Sequence, residues 1–157
     1  MIASAPLVSR SGIDFFEGIF SDVFRPAPIS DTLDSVVIDI KSDAVIFQGR
    51  PNSRHCNPLG TVHRSWLATL PDTAAGRATH STLPAGKGFS ALLLKINMTR
   101  TLTEQVPLIC AMGSLIHAIS QVAMQRKIVE PDGKLYADAA TTYLIFNHPA
   151  HKNADLS

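Results

Sequence analysis

Charge is scarce in this chain and nearly balanced. Asp, Glu, Lys and Arg make up 17% of its 157 residues, 14 basic against 13 acidic, for a net charge of +1. That balance leaves no basic footprint for nucleic acid and no pull toward an anionic membrane surface. Cysteine is almost missing as well. Cys56 and Cys110 stand in unlike contexts, and reduced thiols are expected rather than a disulfide. No apolar run reaches the roughly 18 residues that a membrane span needs. A basic start followed by an apolar stretch is lacking, so no signal peptide is read and the expected location is cytoplasmic. Internal repeats and low-complexity linkers are lacking too, which excludes solenoids and tethered modules.

What is present is apolar substance. Hydrophobic residues make up 45% of the chain, enough at this length for one domain with a real core. The expected division is a leader and helix over 1–28, the main domain over 29–146, and a polar tail over 147–157 that frays. Within the first part, residues 1–12 read as a loose leader. Residues 13–24 read as an amphipathic helix, with Phe16, Ile19, Phe20, Val23 and Phe24 on one face. Pro26 and Pro28 are expected to end it.

The main domain opens with two short β-branched runs, 35–41 and 44–49, joined at Ser42-Asp43 as a hairpin. A loop over 50–61 leads into a helix over 62–80. Val62, Trp66, Leu67, Leu70, Ala74 and Ala78 recur there at helical spacing. The run Leu83-Pro84-Ala85-Gly86-Lys87-Gly88 is a turn. Four strands follow, over 89–100, 107–119, 122–130 and 135–146, with Pro131-Asp132-Gly133 turning into the last. The short breaks between them favour an antiparallel meander. Nothing else in the chain is large enough to cover the long helix, so the sheet must curl around it. The fold class is α+β, a long central helix wrapped by a curved antiparallel sheet.

The chemistry concentrates in His55-Cys56-Asn57-Pro58-Leu59-Gly60-Thr61-Val62-His63, with Asp72 nine residues further on. Asn57-Pro58 and Leu59-Gly60 are turn chemistry, and the helix starts directly after them. Amide donors at a helix N-terminus attract developing negative charge. An acid further along the helix can act on a second atom of a substrate. Together these suffice for attack on a carbonyl.

The segment HCNPLGTVH, the acid at 72, the TLPAGKG turn, the KINMTRTLT strand end and the DGKLYADAATTYLIF close resemble hotdog-fold acyl-CoA thioesterases of the phenylacetic-acid pathway (PaaI) type. The match runs in order from about Ile29 to Phe146. The resemblance implies hydrolysis of a small acyl thioester of coenzyme A, aromatic or of short to medium length, without cofactor or metal. It places the loop asparagine on Asn57 and the aspartate that activates water, or attacks directly, on Asp72. The amide that polarises the thioester carbonyl falls on Arg64 and the motif histidine on His63. Gly60 and Ser65 flank them on the substrate side. A Thr or Ser that supports the aspartate falls on Ala91, beside Ser90.

Arg64 to Asp72 is eight residues, about 12 Å of helix rise. An oxyanion lies roughly 3 Å from its donor, and a base needs similar contact with its water. One helix therefore hardly serves one small carbonyl at both points. Two antiparallel helices of a dimer can. The resemblance implies the same arrangement, a homodimer that forms the active site, with two dimers joined as a homotetramer in many members. The implied partner is an acyl-CoA substrate, with no nucleic acid and no membrane.

Three departures from the family, at four positions, stand out. Arg64-Ser65 replaces Gly-Gly, which keeps the amides but adds a side chain where a ligand approaches closely. Pro71 precedes Asp72 in mid-helix, removes the hydrogen bond to the Leu67 carbonyl and is expected to re-aim the acid. Ala91 carries no hydroxyl, and Ser90 is one position off, so it faces the other side of a strand. These departures leave a second reading open, a catalytically impaired hotdog module that binds acyl-CoA or a protein partner. A third, an enoyl-CoA hydratase, wants an Asp/His pair that is not evident.

Plainer roles compete at single positions. Asp72 alone would be a solvated or capping acid, and Asn57 a turn former. His63 reads as an N-cap neighbour or a packed ring rather than a base. His55, Cys56 and His63 lack a fourth metal ligand, and Cys56 lacks the paired base of a nucleophile. His80 reads as a favourable charge at a helix C-terminus. Trp66 and the first-helix phenylalanines read as packing, with an aromatic acyl pocket as the alternative. Lys87, Lys95, Arg100 and Lys127 are candidates for coenzyme A phosphates, with nothing to select among them.

Overall fold

The computed structural model describes residues 9–42, 44–116, 121–129 and 131–148, and for 113–116 and 121–127 the backbone alone. Along the chain run helix α1 (Gly12–Phe20), helix α2 (Pro28–Thr32), strands β1 (Ser35–Lys41) and β2 (Ala44–Gly49), a 3-10 turn (Ser53–His55) and helix α3 (Arg64–Ser81). Strands β3 (Lys87–Met98), β4 (Ile109–Ile116), β5 (Gln121–Val129) and β6 (Leu135–Asn147) complete it. The six strands form one antiparallel sheet in the order β1-β2-β4-β5-β6-β3. The leader residues 1–8, the turn residue Asp43, positions 117–120 and 130 at strand ends, and the tail 149–157 lie outside the described residues.

Helix α3 packs against all six strands, so the sheet bends around it. All of Val62, Trp66, Leu67, Leu70, Ala74 and Ala78 are buried, as their spacing predicts. Ala74, Ala75 and Ala78 have no exposed surface at all, and their small side chains let strands approach the helix axis closely. Gly49 marks a close approach from β2. A Cβ there would stand 2.9 Å from Leu70 Cδ2 and 3.0 Å from Trp66 Cζ2. The Trp66 indole donates to the Leu33 carbonyl at 2.9 Å and stacks on His55 at 5.0 Å between ring centres. Trp66 is a packing residue with its one polar atom satisfied.

The meander expected of the last four strands holds for β4, β5 and β6 but not for β3. Strand β3 pairs only with β6 and lies at the sheet edge, while β4 pairs with β2. The reason lies in the segment between β3 and β4. Leu102 within it is 2% exposed, and its carbonyl takes the Val62 amide at 2.9 Å. The segment is anchored under the start of α3 and carries the chain back across the sheet, which a tight hairpin does not do.

Helix α1 is shorter than the sequence suggests. It stops at Phe20 because Asp22 turns to φ 58° and the amides of Val23 and Phe24 return to the Gly18 carbonyl at 2.8 and 3.0 Å. Phe24 folds back over Gly18 and stacks on Phe15 at 5.3 Å. The prolines lie past this stop. Pro28 instead opens α2, a short helix missed from sequence, at a first position where a missing N–H costs nothing.

Helix α1 is fastened to the end of α3. The Gly12 amide donates to the Leu83 carbonyl at 2.9 Å, and Gly12 is buried. The leader is therefore not loose at its last residue. A Cβ on Gly12 would fall 1.6 Å from the His80 carbonyl oxygen, which is backbone and cannot yield. We expect Gly12→Ala to destabilise the protein by about 1–3 kcal/mol, the usual range for overpacking, read as a fall in urea midpoint. An unchanged midpoint would mean that α1 does not dock there.

Candidate active site

The loop before α3 is closed on itself by Asn57. Its backbone amide donates to the Thr61 carbonyl at 2.8 Å, and its own carbonyl accepts from Gly60 at 3.0 Å. Its side-chain Oδ1 accepts from the amides of Leu59 at 2.9 Å and Thr61 at 3.4 Å, while Nδ2 donates to Thr61 Oγ1 at 2.9 Å. Gly60 takes φ 77°, the left-handed region that favours glycine. Asn57 is therefore a turn former first, and one Nδ2 hydrogen remains for a ligand.

His63 is the N-cap of α3 itself. Its Nδ1 accepts from the Ser65 amide at 3.1 Å, and its carbonyl takes the amides of Trp66 and Leu67 at 3.0 and 3.4 Å. Its own amide donates to the His55 carbonyl at 2.8 Å. Three of the four amides of the first turn are thereby occupied. Among the described residues the Arg64 amide has no acceptor. A cavity of about 580 Å³ opens here, lined by Asn57, Thr61, His63 and Arg64 on one side and by Met98 and Arg100 on the other. Gly60 and Ser65 lie beside this mouth, both exposed.

Asp72 sits elsewhere. Helix α3 runs unbroken through Pro71, which is buried. Asp72 lines a second cavity of about 340 Å³ with Arg77, His80, Phe89, Ala91 and Tyr143. The Tyr143 hydroxyl donates to the Asp72 carbonyl at 3.2 Å and ties β6 to the helix beside the acid. Both Ser90 and Ala91 are exposed, but Ala91 lines this cavity and Ser90 does not. The register shifts between Ala91 and Leu93, so the strand's alternation resets just past Ala91. The two cavities share no lining residue. Asn57, His63 and Arg64 come together, and Asp72 and Ala91 come together, but the two groups stay apart within one chain.

His80 corrects the sequence reading. It is 7% exposed and packed among Phe15, Phe16 and Phe89 at 5.5, 5.3 and 6.0 Å between ring centres. Burial, helped by the Arg77 charge, pushes it down to about 4. It is a neutral ring at pH 7, not a cation at a helix end. His55 is also buried. Its Nδ1 accepts from the Asn52 amide at 3.2 Å, and among the described residues its Nε2 has no hydrogen-bond partner. Burial and the Arg54 charge lower its pKa, against the opposing influence of Asp34 and the Thr32 backbone.

Both cysteines are free thiols, and burial pushes Cys110 up. Among the described residues no three His, Cys, Asp or Glu side chains gather in one place. Of the basic candidates, Arg100 lines the first cavity and stands 5.9 Å over the Tyr136 ring, while Lys87 donates to Asn147 Oδ1 at 2.7 Å. Lys95 is exposed on the edge strand, and the Lys127 side chain lies outside the described residues. Arg77 and Tyr143 were not singled out from sequence. A signal that could have directed attention there is Gly76, a glycine in mid-helix between Asp72 and His80.

No family model matches the sequence. No curated protein matches it either. Solved structures do match. The PaaI protein of the Escherichia coli phenylacetic acid degradation operon superposes with a TM-score of 0.74 at 15% identity, over 90% of this chain and 97% of that one. A thioesterase from Haemophilus influenzae gives 0.74 at 18%, over 88% and 93%. A phenylacetic acid degradation-related protein from Ralstonia eutropha gives 0.73 at 21%, over 82% and 98%. The chain has the hotdog fold of these proteins. Among the described residues no helix is long and apolar enough to cross a membrane.

The buried state of His80 has a thermodynamic consequence. Its folded pKa lies below its unfolded one, so the unfolded chain binds a proton first and stability is lost as pH falls from about 6.5 toward 4. The loss from this ring amounts to about 3 kcal/mol when complete. His55 acts in the same direction. Urea midpoints measured at pH 7 and pH 4.5 are expected to converge in His80→Phe relative to wild type. Equal pH slopes in the two proteins would show that the ring is solvated.

Proposed function

We propose that this chain is an acyl-CoA thioesterase, cleaving a small aromatic or short to medium acyl thioester to the free acid and coenzyme A. Asp72 positions the attacking water, or attacks directly. The Arg64 amide and the remaining Asn57 Nδ2 hydrogen stabilise the oxyanion, and the coenzyme A thiolate leaves. His63 holds the helix start in place as its cap. Gly60 and Ser65 border the entrance, and Ser90 and Ala91 belong to the strand beside the acid. The chemistry needs no cofactor.

One observation carries this reading. The unoccupied donor amide and the acid lie in separate cavities of one chain, about 12 Å of helix apart. A second copy with its α3 antiparallel brings one chain's donor to the other's acid. The edge strand suits such a copy, since β3 is largely exposed and carries Leu92 and Leu93 at 55% and 60% exposure. The assembly proposed is a homodimer that completes the site, paired into a homotetramer, acting in the cytoplasm. The Ala91 methyl beside Asp72, where a hydroxyl would hold water, favours as a second reading a module that binds acyl-CoA without turning it over.

A complementation assay tests the shared site. Asp72→Asn removes the base and is expected to lower thiol release at least about a hundredfold. Arg64→Pro removes the donor alone, because a first helical position tolerates proline and His63 already has an extended ψ of 136°. Its expected loss is about 10²–10³-fold. Mixing the two inactive chains, unfolded and refolded together, pairs an intact amide with an intact acid at one of two sites in each mixed dimer. About a quarter of wild-type activity should return. No recovery would place the whole site within one chain. Saturable acyl-CoA binding without turnover in the wild type would select the binding module.

A further inference from the structure

The cavity beside Asp72 holds a cation that the proposed hydrolysis does not use. Arg77 is half-buried, with its guanidinium carbon 5.5 Å over the Phe16 ring. Burial lowers its pKa, yet an arginine stays charged throughout the physiological range. Among the described residues it has no carboxylate partner. A cation drawn out of water without a counter-charge is costly, and proteins seldom keep one unless something completes it. The cation–π contact with Phe16 offsets part of that cost but leaves the fork of N–H donors without an acceptor among the described residues.

Gly76 is the second, independent observation. It stands in the middle of α3, where glycine costs about 1 kcal/mol relative to alanine. No crowding requires it. A Cβ there would meet Phe89 Cε2 at 3.5 Å and the Tyr143 hydroxyl at 3.8 Å, ordinary contact distances. The missing methyl widens the cavity floor between Asp72 and Arg77. His80 adds no charge to this space at pH 7, because its pKa is pushed down to about 4. Phe89, Ala91 and the Tyr143 ring supply the apolar walls, and Thr73 adds one neutral hydroxyl.

We propose that this cavity receives the acyl group of the substrate and that Arg77 binds a second carboxylate at its far end. The substrate class is then a thioester of a dicarboxylic acid, singly linked to coenzyme A. The inference rests on the thioesterase reading for its reaction and names the acyl chemistry of that same site. The arrangement fits the length required. Asp72 and Arg77 are five residues apart, about 7.5 Å of helix rise, so a thioester carbonyl near the acid puts the end of a short chain within reach of the guanidinium. A planar fork binds a carboxylate through two parallel hydrogen bonds, which an ammonium does not reproduce.

The test compares glutaryl-CoA with pentanoyl-CoA, equal in chain length and differing in the terminal carboxylate. The wild type is expected to favour glutaryl-CoA at least tenfold in kcat/KM, mainly through KM. In Arg77→Gln that ratio should fall at least tenfold, and Arg77→Lys should restore only part of it. Gly76→Val should depress both substrates by filling the floor. In parallel, free glutarate should raise the melting temperature of the wild type more than pentanoate does, and should lose that advantage in Arg77→Gln. A wild-type ratio near one, or an unchanged ratio in a folded Arg77→Gln, overturns the assignment of Arg77 while leaving the thioesterase reading intact. Absence of turnover with every acyl-CoA, together with selective protection by glutarate, overturns the thioesterase reading and supports the carboxylate site.

Discussion

One helix of eighteen residues has to be buried by one sheet, and the rest of the molecule follows from that requirement. Helix α3 touches every strand, so its flanks, not just one stripe, must be apolar or small. Trp66, Leu67 and Leu70 fill the wide N-terminal half, and Ala74, Ala75 and Ala78 let the sheet close on the narrow half. Gly49 permits the close approach of β2. The start of the helix is a place where its backbone can meet a ligand. The loop at its start is fixed by Asn57 and His63, which satisfy the local amides and, among the described residues, leave that of Arg64 without an acceptor. Cap, loop and candidate oxyanion donor are one construction.

The same helix explains why the acid lies where it does. Asp72 stands halfway along α3, where the sheet edge leaves it half-buried instead of sealed. Pro71 was expected to re-aim it. The helix continues through the proline, which is buried in the core. Tertiary packing overrides the local preference, as it commonly does for propensities near a kilocalorie and here does for a residue that costs about three.

How legible this was from sequence depended on whether the determining contacts are local. The helix over 62–80 was readable to within a residue or two, since its buried face repeats at a fixed spacing. The hairpin of β1 and β2 was readable for the same reason, with a short turn between two β-branched runs. The place of β3 was not. Whether a strand pairs with its successor or with β6 is decided by long-range closure, and nothing in residues 89–100 records it. The stop after Phe20 turned on a single left-handed residue, Asp22, ahead of the prolines that looked decisive. In the site, Asn57, His63 and Arg64 were found together because they are adjacent in sequence. Ala91 and Asp72 were joined only through the resemblance, and the sheet does bring them to one cavity. Tyr143 and Arg77 escaped notice because a tyrosine in a strand and an arginine in a helix are ordinary until their neighbours are known. His80 was misjudged for that reason too. A histidine in a last helical turn looks like a capping charge, and only the docking of Phe15 and Phe16 from α1 makes it a neutral core ring.

Helix α1 thus does more than cover a surface. It supplies Phe16 to the Arg77 guanidinium and both Phe15 and Phe16 to His80, so it sets the electrostatics of the cavity beside the acid. Without that cover His80 would be solvated and able to take a proton, and a second positive charge would stand beside Arg77. With it, Arg77 is the one charged basic side chain among the lining residues of the cavity that Asp72 also lines. His80, one turn beyond Arg77 on the same helix, is a neutral ring at pH 7 and does not compete for an incoming anion. The order of construction therefore runs from the N-terminal helix, through the burial of His80, to the charge pattern presented to an acyl group. A change in α1 far from any reacting atom would be felt first as a change in that pattern.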